Sequence, residues 1–465
     1  MSIFRASVLC LLALLAADPL LRADGFHAPP STVTAAPADD ATYLAEIGAR
    51  AGADQTGRAL QAAIGAIKIR PERSDNWVLL GDSLRQLARD TLDVTLYRHV
   101  ERSYLRAAQI DPANTRAFIG LAWAAGASHR FADSIHAAEQ ALKLDPDLPD
   151  AYGIRGDAAV EIGDYAAAAR DYEKMLDLRP GLSSYSRAGH LAYLLGQPQA
   201  GMGLMRQAIK AGGNVPEHTA WCVAELAAMM CNEGAGFLAQ KLVESALART
   251  PDNLALLAAA ARARVETRDH AGAIAALEKA NAITPQHGTL ALLHDLYLAT
   301  GRPDAARRIV GEIETLHRKL EAQHVYGGEG ALARFYADRG ENLPLAVTLA
   351  EREYTHPRHA VAADTLAWAY CRAGRFAEAG RLLPVVLQRR AADPAMLYHA
   401  AVIEEALGDD TSARLHLSAA LNRDPLFNPV HAVLAQKELA RLGAVPARTA
   451  QPAAARKPEP PLPTL

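Results

Sequence analysis

Small and apolar residues return along the chain at helical spacing, in stretches separated by turn residues. Within residues 149–182, two sets of three residues follow the spacing i, i+4, i+7, which places each set on one face of a helix. The sets are Tyr152, Gly156 and Ala159, followed by Ala168, Tyr172 and Met175. Gly163 and Asp164 fall between them and predict a turn. The stretch therefore predicts two antiparallel helices joined by a short turn.

Prolines mark the period of this pattern. They return 34 or 35 residues apart within two groups, which are Pro112, Pro146 and Pro180, and then Pro216, Pro251 and Pro285. Because a proline cannot continue a helix but can open the next one, each marks a boundary between units. Residues 40–427 then predict eleven helix pairs. The pairs start near Asp40, Ser74, Thr115, Pro149, Ser183, Ala220, Leu254, Gly288, Val325, Arg358 and Ala395.

The units resemble the tetratricopeptide repeat, whose pattern includes W-x2-L-G-x2-Y. The second unit carries Trp77, Leu80, Gly81 and Leu84 at this spacing. The resemblance extends over residues 40–427 and implies an all-α, right-handed α-α superhelical solenoid of about eleven tetratricopeptide-type helix pairs. In such a solenoid only the stacking of neighbouring pairs buries their apolar faces. A C-terminal capping helix is predicted within residues 428–442, from Pro429 to Leu442.

Two units depart from the regular length. The second unit has extra residues near 89–93, and the eighth has a long second helix from Pro303 to about Gln323. We therefore expect a local bend or a wider spacing between residues 286 and 330.

The two ends of the chain differ from the repeats. Residues 1–23 combine a positive charge at Arg5, an apolar run over residues 6–17 and small residues where a signal peptidase would cut. This combination is typical of an export signal. An uncleaved anchor stays open as an alternative. Residues 24–39 predict a flexible lead-in, and residues 443–465 predict a disordered Pro/Ala-rich tail. The expected location is exported, periplasmic or secreted, in a bacterium.

Composition and charge narrow the function classes. Half of the residues are apolar but only 6% are aromatic, and alanine is abundant, which favours thin, closely packed helices. The 49 basic and 52 acidic residues give a net charge of −3, so no bulk positive field exists to hold a nucleic acid. No apolar stretch of the mature chain has the length of a transmembrane helix. We expect a protein or peptide partner, and neither nucleic acid nor a cofactor.

Motifs with catalytic or metal-binding chemistry are few. Gly81-Asp82-Ser83-Leu84 spells the GDSL motif of a serine esterase family, but it falls in the middle of a predicted helix, whereas that motif needs its serine on a loop. His356 and His359 lie in one turn without the further ligands that a metal requires. We therefore predict neither catalytic residues nor a metal site, and expect no enzyme.

Three cysteines remain in the predicted mature chain. Cys222 and Cys231 lie on one predicted helix, about 13.5 Å apart along its axis, which is too far for a disulfide. Cys371 lies four repeats further on. We expect three free thiols in the core.

The resemblance also points to a binding surface, because the first helices of this repeat family line a concave groove. The groove position that follows the small residue of each first helix, with its neighbour four residues earlier, gives a set of candidate partner-binding residues. They are Asp82, Trp123, Asp157, His190, Arg262, Arg334, Asp364, Trp368 and Tyr398. Tryptophan and arginine often dominate binding energy, although a tryptophan here can equally fill a gap between thin helices. The acids come early and the arginines late, which predicts a groove that is acidic at one end and basic at the other.

Three hypotheses for function follow. The first is a non-enzymatic protein-protein interaction scaffold of the cell envelope that binds a peptide or protein partner in the concave groove. The second is an accessory subunit of an envelope export or polymer-secretion machine, suggested by the proline-rich tail. The third is a hydrolase or carbohydrate-binding protein that uses groove aromatics.

Overall fold

The computed structural model describes residues 39–91, 93–213, 216–322, 329–354, 360–387 and 393–443. The predicted signal peptide, the lead-in up to residue 38, the tail from residue 444 and the pair His356 and His359 lie outside these ranges. Within them the chain is all-helical, with 23 α-helices and no strand. The predicted all-α solenoid of tetratricopeptide type is confirmed.

The helices follow one another in eleven pairs and a final single helix. The first six pairs are α1 (Asp40–Gly48) and α2 (Gln55–Ile69), α3 (Ser74–Thr91) and α4 (Tyr97–Ile110), α5 (Thr115–Ala127) and α6 (Phe131–Leu144), α7 (Pro149–Glu161) and α8 (Tyr165–Leu178), α9 (Leu182–Leu194) and α10 (Pro198–Ala211), α11 (Pro216–Asn232) and α12 (Gly236–Leu247).

The remaining helices are α13 (Leu254–Glu266) and α14 (His270–Ile283), α15 (His287–Ala299) and α16 (Pro303–Ala322), α17 (Glu329–Arg339) and α18 (Leu343–Glu353), α19 (Ala360–Arg372) and α20 (Phe376–Val386), α21 (Pro394–Ala406) and α22 (Asp410–Arg423), and α23 (His431–Leu442).

The turn inside a unit is set by a glycine and an aspartate. In the fourth unit, Gly163 ends α7 with a φ of 77°, a left-handed conformation that glycine adopts without steric cost. Asp164 then caps α8, because its side chain accepts a hydrogen bond of 3.0 Å from the backbone N–H of Ala167. This short sequence ends one helix and starts the next within a few residues.

Small residues let the two helices of a unit approach closely. In the fifth unit a side chain on Gly189 would lie only 2.9 Å from the carbonyl oxygen of Gly201, and the reverse substitution would be as tight. Neighbouring units then share an apolar core, which in the C-terminal half forms one cluster from Ala261 to Ala435. Stacking of thin helices, rather than a thick core, therefore buries the apolar faces.

The second and eighth units differ from the regular helix pair where the sequence has extra residues. In the second unit α3 extends to Thr91, and a 3-10 helix over Val94–Leu96 leads into α4. In the eighth unit α16 has 20 residues, close to the predicted length. The capping helix starts at His431, two residues later than predicted, because Asn428 accepts hydrogen bonds from the backbone N–H groups of Val430 and His431.

The cysteines match the expectation from helix geometry. Cys222, Cys231 and Cys371 are buried and free. Burial raises the pKa of all three thiols, which keeps them protonated at neutral pH.

Candidate binding groove

All nine candidate groove residues lie on first helices of the repeat units, on α3, α5, α7, α9, α13, α17, α19 and α21. Their surroundings divide them into two groups. The four N-terminal candidates are half-buried, whereas several of the C-terminal ones are covered by the chain itself.

Asp82 is held by the neighbouring second helix and by the next unit. Its carboxylate accepts a hydrogen bond of 2.7 Å from the Tyr104 hydroxyl and one of 2.9 Å from Arg116 Nη2. The Tyr104 ring lies against Gly81, where an added Cβ would approach the ring to 2.7 Å. Gly81 therefore makes room for a tyrosine whose hydroxyl fixes the adjacent aspartate.

Asp157 repeats this arrangement two units later. Its carboxylate accepts 2.8 Å hydrogen bonds from the Tyr172 hydroxyl and from Nε and Nη2 of Arg187. Gly156 again leaves space for the tyrosine ring. The two-point contact between guanidinium and carboxylate fixes the geometry of this pair. Each Gly-Asp dipeptide thus builds one fixed carboxylate that links neighbouring units.

Trp123 and His190 complete the N-terminal group. The Trp123 ring meets Tyr97 edge-on at a centroid distance of 5.6 Å, and the Arg85 guanidinium carbon lies 5.5 Å from its centroid. His190 Nδ1 lies 3.4 Å from the carboxylate of Glu225 on α11. Both side chains keep part of their surface exposed.

Three of the C-terminal candidates contact residues 424–431, which run from the end of α22 to the first residue of α23 and which we call the closing segment. They are Arg262, Trp368 and Tyr398. The closing segment begins beside α13, where Arg262 Nη2 donates a hydrogen bond of 3.0 Å to Asp424. It then passes α15, where Asn428 donates a hydrogen bond of 2.9 Å to Asp295. It ends near α17, where His431 Nε2 lies 3.8 Å from Asp338 Oδ1. The segment therefore crosses the first helices of three successive units.

Arg262 and Asp424 form the first of these contacts. Asp424 has a side chain that is only 1% exposed, and Arg262 also donates a hydrogen bond to Asn232 at the end of α11. Burial alone would lower the pKa of Arg262, but the Coulombic attraction of Asp393 and then of Asp424 keeps it raised. The predicted basic position is thus neutralised by the chain's own C-terminal segment.

Arg334 and Asp364 form a second buried pair. Arg334 Nη2 donates a hydrogen bond of 2.6 Å to Asp364, and His399 Nδ1 lies 3.1 Å from both carboxylate oxygens. Burial acts to raise the pKa of Asp364, but the charges of His399 and Arg334 and their hydrogen bonds outweigh it and lower the pKa to about 2. Asp364 is therefore an ionised carboxylate inside the protein.

Trp368 and Tyr398 lie in the core beside this pair. Trp368 is 1% exposed, stacks on His399 at a centroid distance of 4.3 Å, and donates a hydrogen bond of 2.7 Å from Nε1 to Asp338. Tyr398 is 6% exposed and packs against Phe427 of the closing segment. The structure thus buries Asp364, Trp368 and Tyr398 instead of presenting them to a partner. Trp368 therefore packs between helices in the core.

The charged candidates, which predicted a groove acidic at one end and basic at the other, each form an ion pair in the structure. Asp82 and Asp157 contact Arg116 and Arg187, and the late arginines contact Asp424 and Asp364. Most of these pairs join residues about one repeat apart, so they connect neighbouring first helices. The charged positions therefore form links between units.

Repeat periodicity gave no indication of the closing segment. Asp424 and Asn428 lie beyond the last pair, and their partners are more than a hundred residues away in sequence. The only signal in the sequence is that Asp424-Pro425 and Asn428-Pro429 interrupt the path to the capping helix.

The GDSL serine lies inside α3. Ser83 Oγ donates a hydrogen bond of 2.8 Å to the carbonyl oxygen of Leu79, one helical turn earlier. This placement agrees with the predicted helix. The hydroxyl proton of Ser83 is engaged in the hydrogen bond to the helix backbone.

Comparison with known proteins identifies the repeats. Tetratricopeptide-repeat family models match residues 119–183 and residues 264–325. These two stretches of the chain are therefore tetratricopeptide repeats. No match is found among curated proteins. In the part of the chain that the structure describes, no helix is both long and apolar enough to span a membrane.

Solved structures share the helical repeat at low identity. The pilF protein of Pseudomonas aeruginosa is 16% identical, with 45% of this chain and 93% of that chain covered and a TM-score of 0.38. The pilus biogenesis factor PilW is 18% identical, with 46% and 94% covered and a TM-score of 0.37. Yeast Tom70 is 11% identical, with 87% and 97% covered and a TM-score of 0.35.

Proposed function

We propose that this protein is a non-enzymatic interaction scaffold of the cell envelope that binds a peptide or protein partner along α3, α5, α7 and α9. Tetratricopeptide repeats support a protein-interaction scaffold. The observation that carries the finer proposal is the division of the groove. The first helices α13, α15 and α17 already hold a segment of this chain, whereas the N-terminal ones keep their polar and aromatic side chains partly exposed.

The N-terminal candidates suit a partner that lies across several units. The carboxylates of Asp82 and Asp157 are fixed by tyrosine and arginine, so little conformational entropy is lost when they accept a further hydrogen bond. Trp123, which is half-buried, lies between them along the chain. A fixed polar frame around an aromatic anchor is typical of a binding hot spot.

The test is site-specific photo-crosslinking in cells. A photo-reactive phenylalanine analogue at position 123 should capture one dominant protein. Two outward positions are controls: Phe237, an aromatic residue that is 60% exposed on α12, and Lys437 on the outer face of α23. The captured protein should be lost when Asp157→Asn is combined with the analogue. Equal labelling at positions 123 and 237, or no labelling at 123, would contradict the proposal.

The envelope location rests on the pattern of residues 1–23. An alkaline phosphatase fusion to the full chain in a Gram-negative host should be active, and deletion of residues 2–23 should abolish that activity. An active fusion without these residues would place the export signal elsewhere.

A further inference from the structure

Three potential metal ligands meet at the end of the closing segment. They are Asp338 at the end of α17, His399 on α21 and His431 at the start of α23, and their ligand atoms lie within 4.8 Å of one another. His399 and His431 are buried, whereas Asp338 keeps about a quarter of its side chain exposed. Nothing in the repeat pattern requires two imidazoles and a carboxylate to share one place.

The side chains around this group hold each ligand in a suitable orientation. His399 acts on Asp364 as a positive charge in the metal-free protein, so a metal would have to displace its Nε2 proton. Asp364 lies 3.1 Å from His399 Nδ1 and would hold the remaining proton there, which leaves the Nε2 lone pair for the metal. Arg334 holds Asp364 in turn, through a hydrogen bond of 2.6 Å. A carboxylate behind a histidine is the usual support of a metal-binding imidazole, because it orients the ring and raises its basicity.

Asp338 and His431 are held independently. Asp338 Oδ1 accepts the Trp368 Nε1 hydrogen bond of 2.7 Å, which fixes the carboxylate beside His431. His431 is placed by its position at the start of α23, where Asn428 caps the helix, and by stacking on Tyr398 at a centroid distance of 5.1 Å. The three ligands are therefore set by three different helices.

The charges nearby act in both directions, because Asp338 and Asp295 act to raise the pKa of His431 whereas Arg372 acts to lower it. Arg334 is already paired with Asp364, and Arg372 lies on the Trp368 ring, 5.3 Å from its centroid. Asp295 adds a further carboxylate behind Asn428. Two imidazole nitrogens exclude the hard cations Mg²⁺ and Ca²⁺, which prefer oxygen ligands, and favour a first-row transition ion.

We propose that Asp338, His399 and His431 bind one zinc ion, with Asp364 and Trp368 as positioning residues. Ligand atoms around tetrahedral zinc lie roughly 3.3 Å apart, as follows from bonds of about 2.0–2.1 Å. The present distances, 3.8 Å between His431 Nε2 and Asp338 Oδ1 and up to 4.8 Å among the three ligand atoms, are wider than this, so a bound zinc would draw the three side chains together. Three protein ligands leave the fourth position for water or for a side chain of a partner.

Bound zinc would fasten the closing segment to the groove. It would join α23 to α17 and α21, at the end of the segment opposite to the contact between Arg262 and Asp424. The metal would therefore stabilise the C-terminal half of the solenoid and leave the N-terminal half unchanged.

The experiment uses the full chain, freed of metal with a chelator, and zinc alone. Titration calorimetry and elemental analysis should give one zinc per chain, and zinc should raise the melting temperature. Cobalt in place of zinc should show the intense visible bands of four-coordinate geometry. His399→Gln, His431→Gln and Asp338→Asn should each lower affinity at least about 100-fold, and Asp364→Asn about 10–100-fold.

Two histidine variants outside the site are matched controls. His136→Gln changes an exposed histidine on α6, and His317→Gln breaks the pairing with His287, the two rings being 6.2 Å apart. Both should bind zinc as the unchanged chain does. Absence of stoichiometric zinc, or zinc binding that survives His399→Gln and His431→Gln, would overturn the proposal. X-ray absorption of the unchanged chain, which should show two imidazoles, decides the question even if a variant fails to fold.

Discussion

The two halves of the groove are built from the same kind of helix, yet they differ in what covers them. In the N-terminal half, Asp82 and Asp157 contact tyrosine and arginine within their own and the next unit. In the C-terminal half, Arg262 and Tyr398 contact a segment from beyond the last repeat. A repeat position thus provides a side chain on the inner surface, and the rest of the chain decides whether that side chain is available to a partner.

The largest expected difference between the halves is in the two tryptophans. Trp368→Ala removes a fully buried ring and should lower the free energy of unfolding by about 3–5 kcal/mol. Trp123→Ala removes a half-buried ring, so we expect a loss of about 1–2 kcal/mol. Urea unfolding followed by circular dichroism measures both values. Equal losses would show that the C-terminal half is no better packed than the N-terminal one.

The next largest effect should come from opening the closing segment. Asp424→Ala leaves Arg262 without its buried carboxylate and should cost about 2–4 kcal/mol. Its counterpart Asp157→Ala, whose side chain is 44% exposed, should cost about 1 kcal/mol. Hydrogen exchange locates the change: Asp424→Ala should speed exchange over residues 424–431 and at α13, but not at α3 or α5. Uniform acceleration along the chain would contradict a local closure.

Glu266 should give the C-terminal half a stability that depends on pH. Burial raises the pKa of Glu266 to about 7, although its ordinary value is 4.5. The folded protein therefore holds the proton more tightly than the unfolded chain, and stability falls as pH rises from about 4.5 to about 7. Glu266→Gln should raise the free energy of unfolding by about 1–2 kcal/mol at pH 8 and change it little at pH 4. An equal gain at both pH values would argue against ionisation as the cause.

His99 should give the N-terminal half the opposite dependence, with the smallest effect. Burial lowers the pKa of His99 to about 4, and the nearby Arg98 adds to this. The unfolded chain binds the proton more tightly here, so stability falls as pH drops from about 6.5 to about 4.

His99→Gln should reduce the stability that is lost between about pH 6.5 and about pH 4 by about 1 kcal/mol. Hydrogen exchange at α1 and α4, the two helices that meet at His99, measures the difference between pH 7 and pH 4.5. Exchange that is equally sensitive to acid in both proteins would contradict it.

Much of the fold could be predicted because each unit repeats a local rule. The turn at Gly163 and Asp164 needs only a left-handed glycine and a helix-capping carboxylate, both readable from the sequence. The placement of the nine candidates on first helices follows from the same register. The capping helix begins two residues later than predicted. Asn428 caps it, and this residue lies outside the repeating pattern from which the start was predicted.

The candidate site could be predicted only in part. Asp157 at the groove follows from the repeat, but its fixation by Tyr172 and Arg187 depends on how neighbouring units stack. The burial of Trp368 and Tyr398 could not be predicted, since Phe427 and His431 approach them through the superhelical path rather than through the local pattern.

By itself, the sequence determined the type of fold, the number of helix pairs and the placement of the nine candidate residues on first helices. These follow from spacing and from small residues, which act over a few turns of helix. Only the tertiary structure decided that residues 424–431 close one half of that surface and that Asp338, His399 and His431 meet there. The reason is physical: a small rotation between units accumulates along a solenoid, so contacts between distant units depend on the sum of all the rotations rather than on any one repeat.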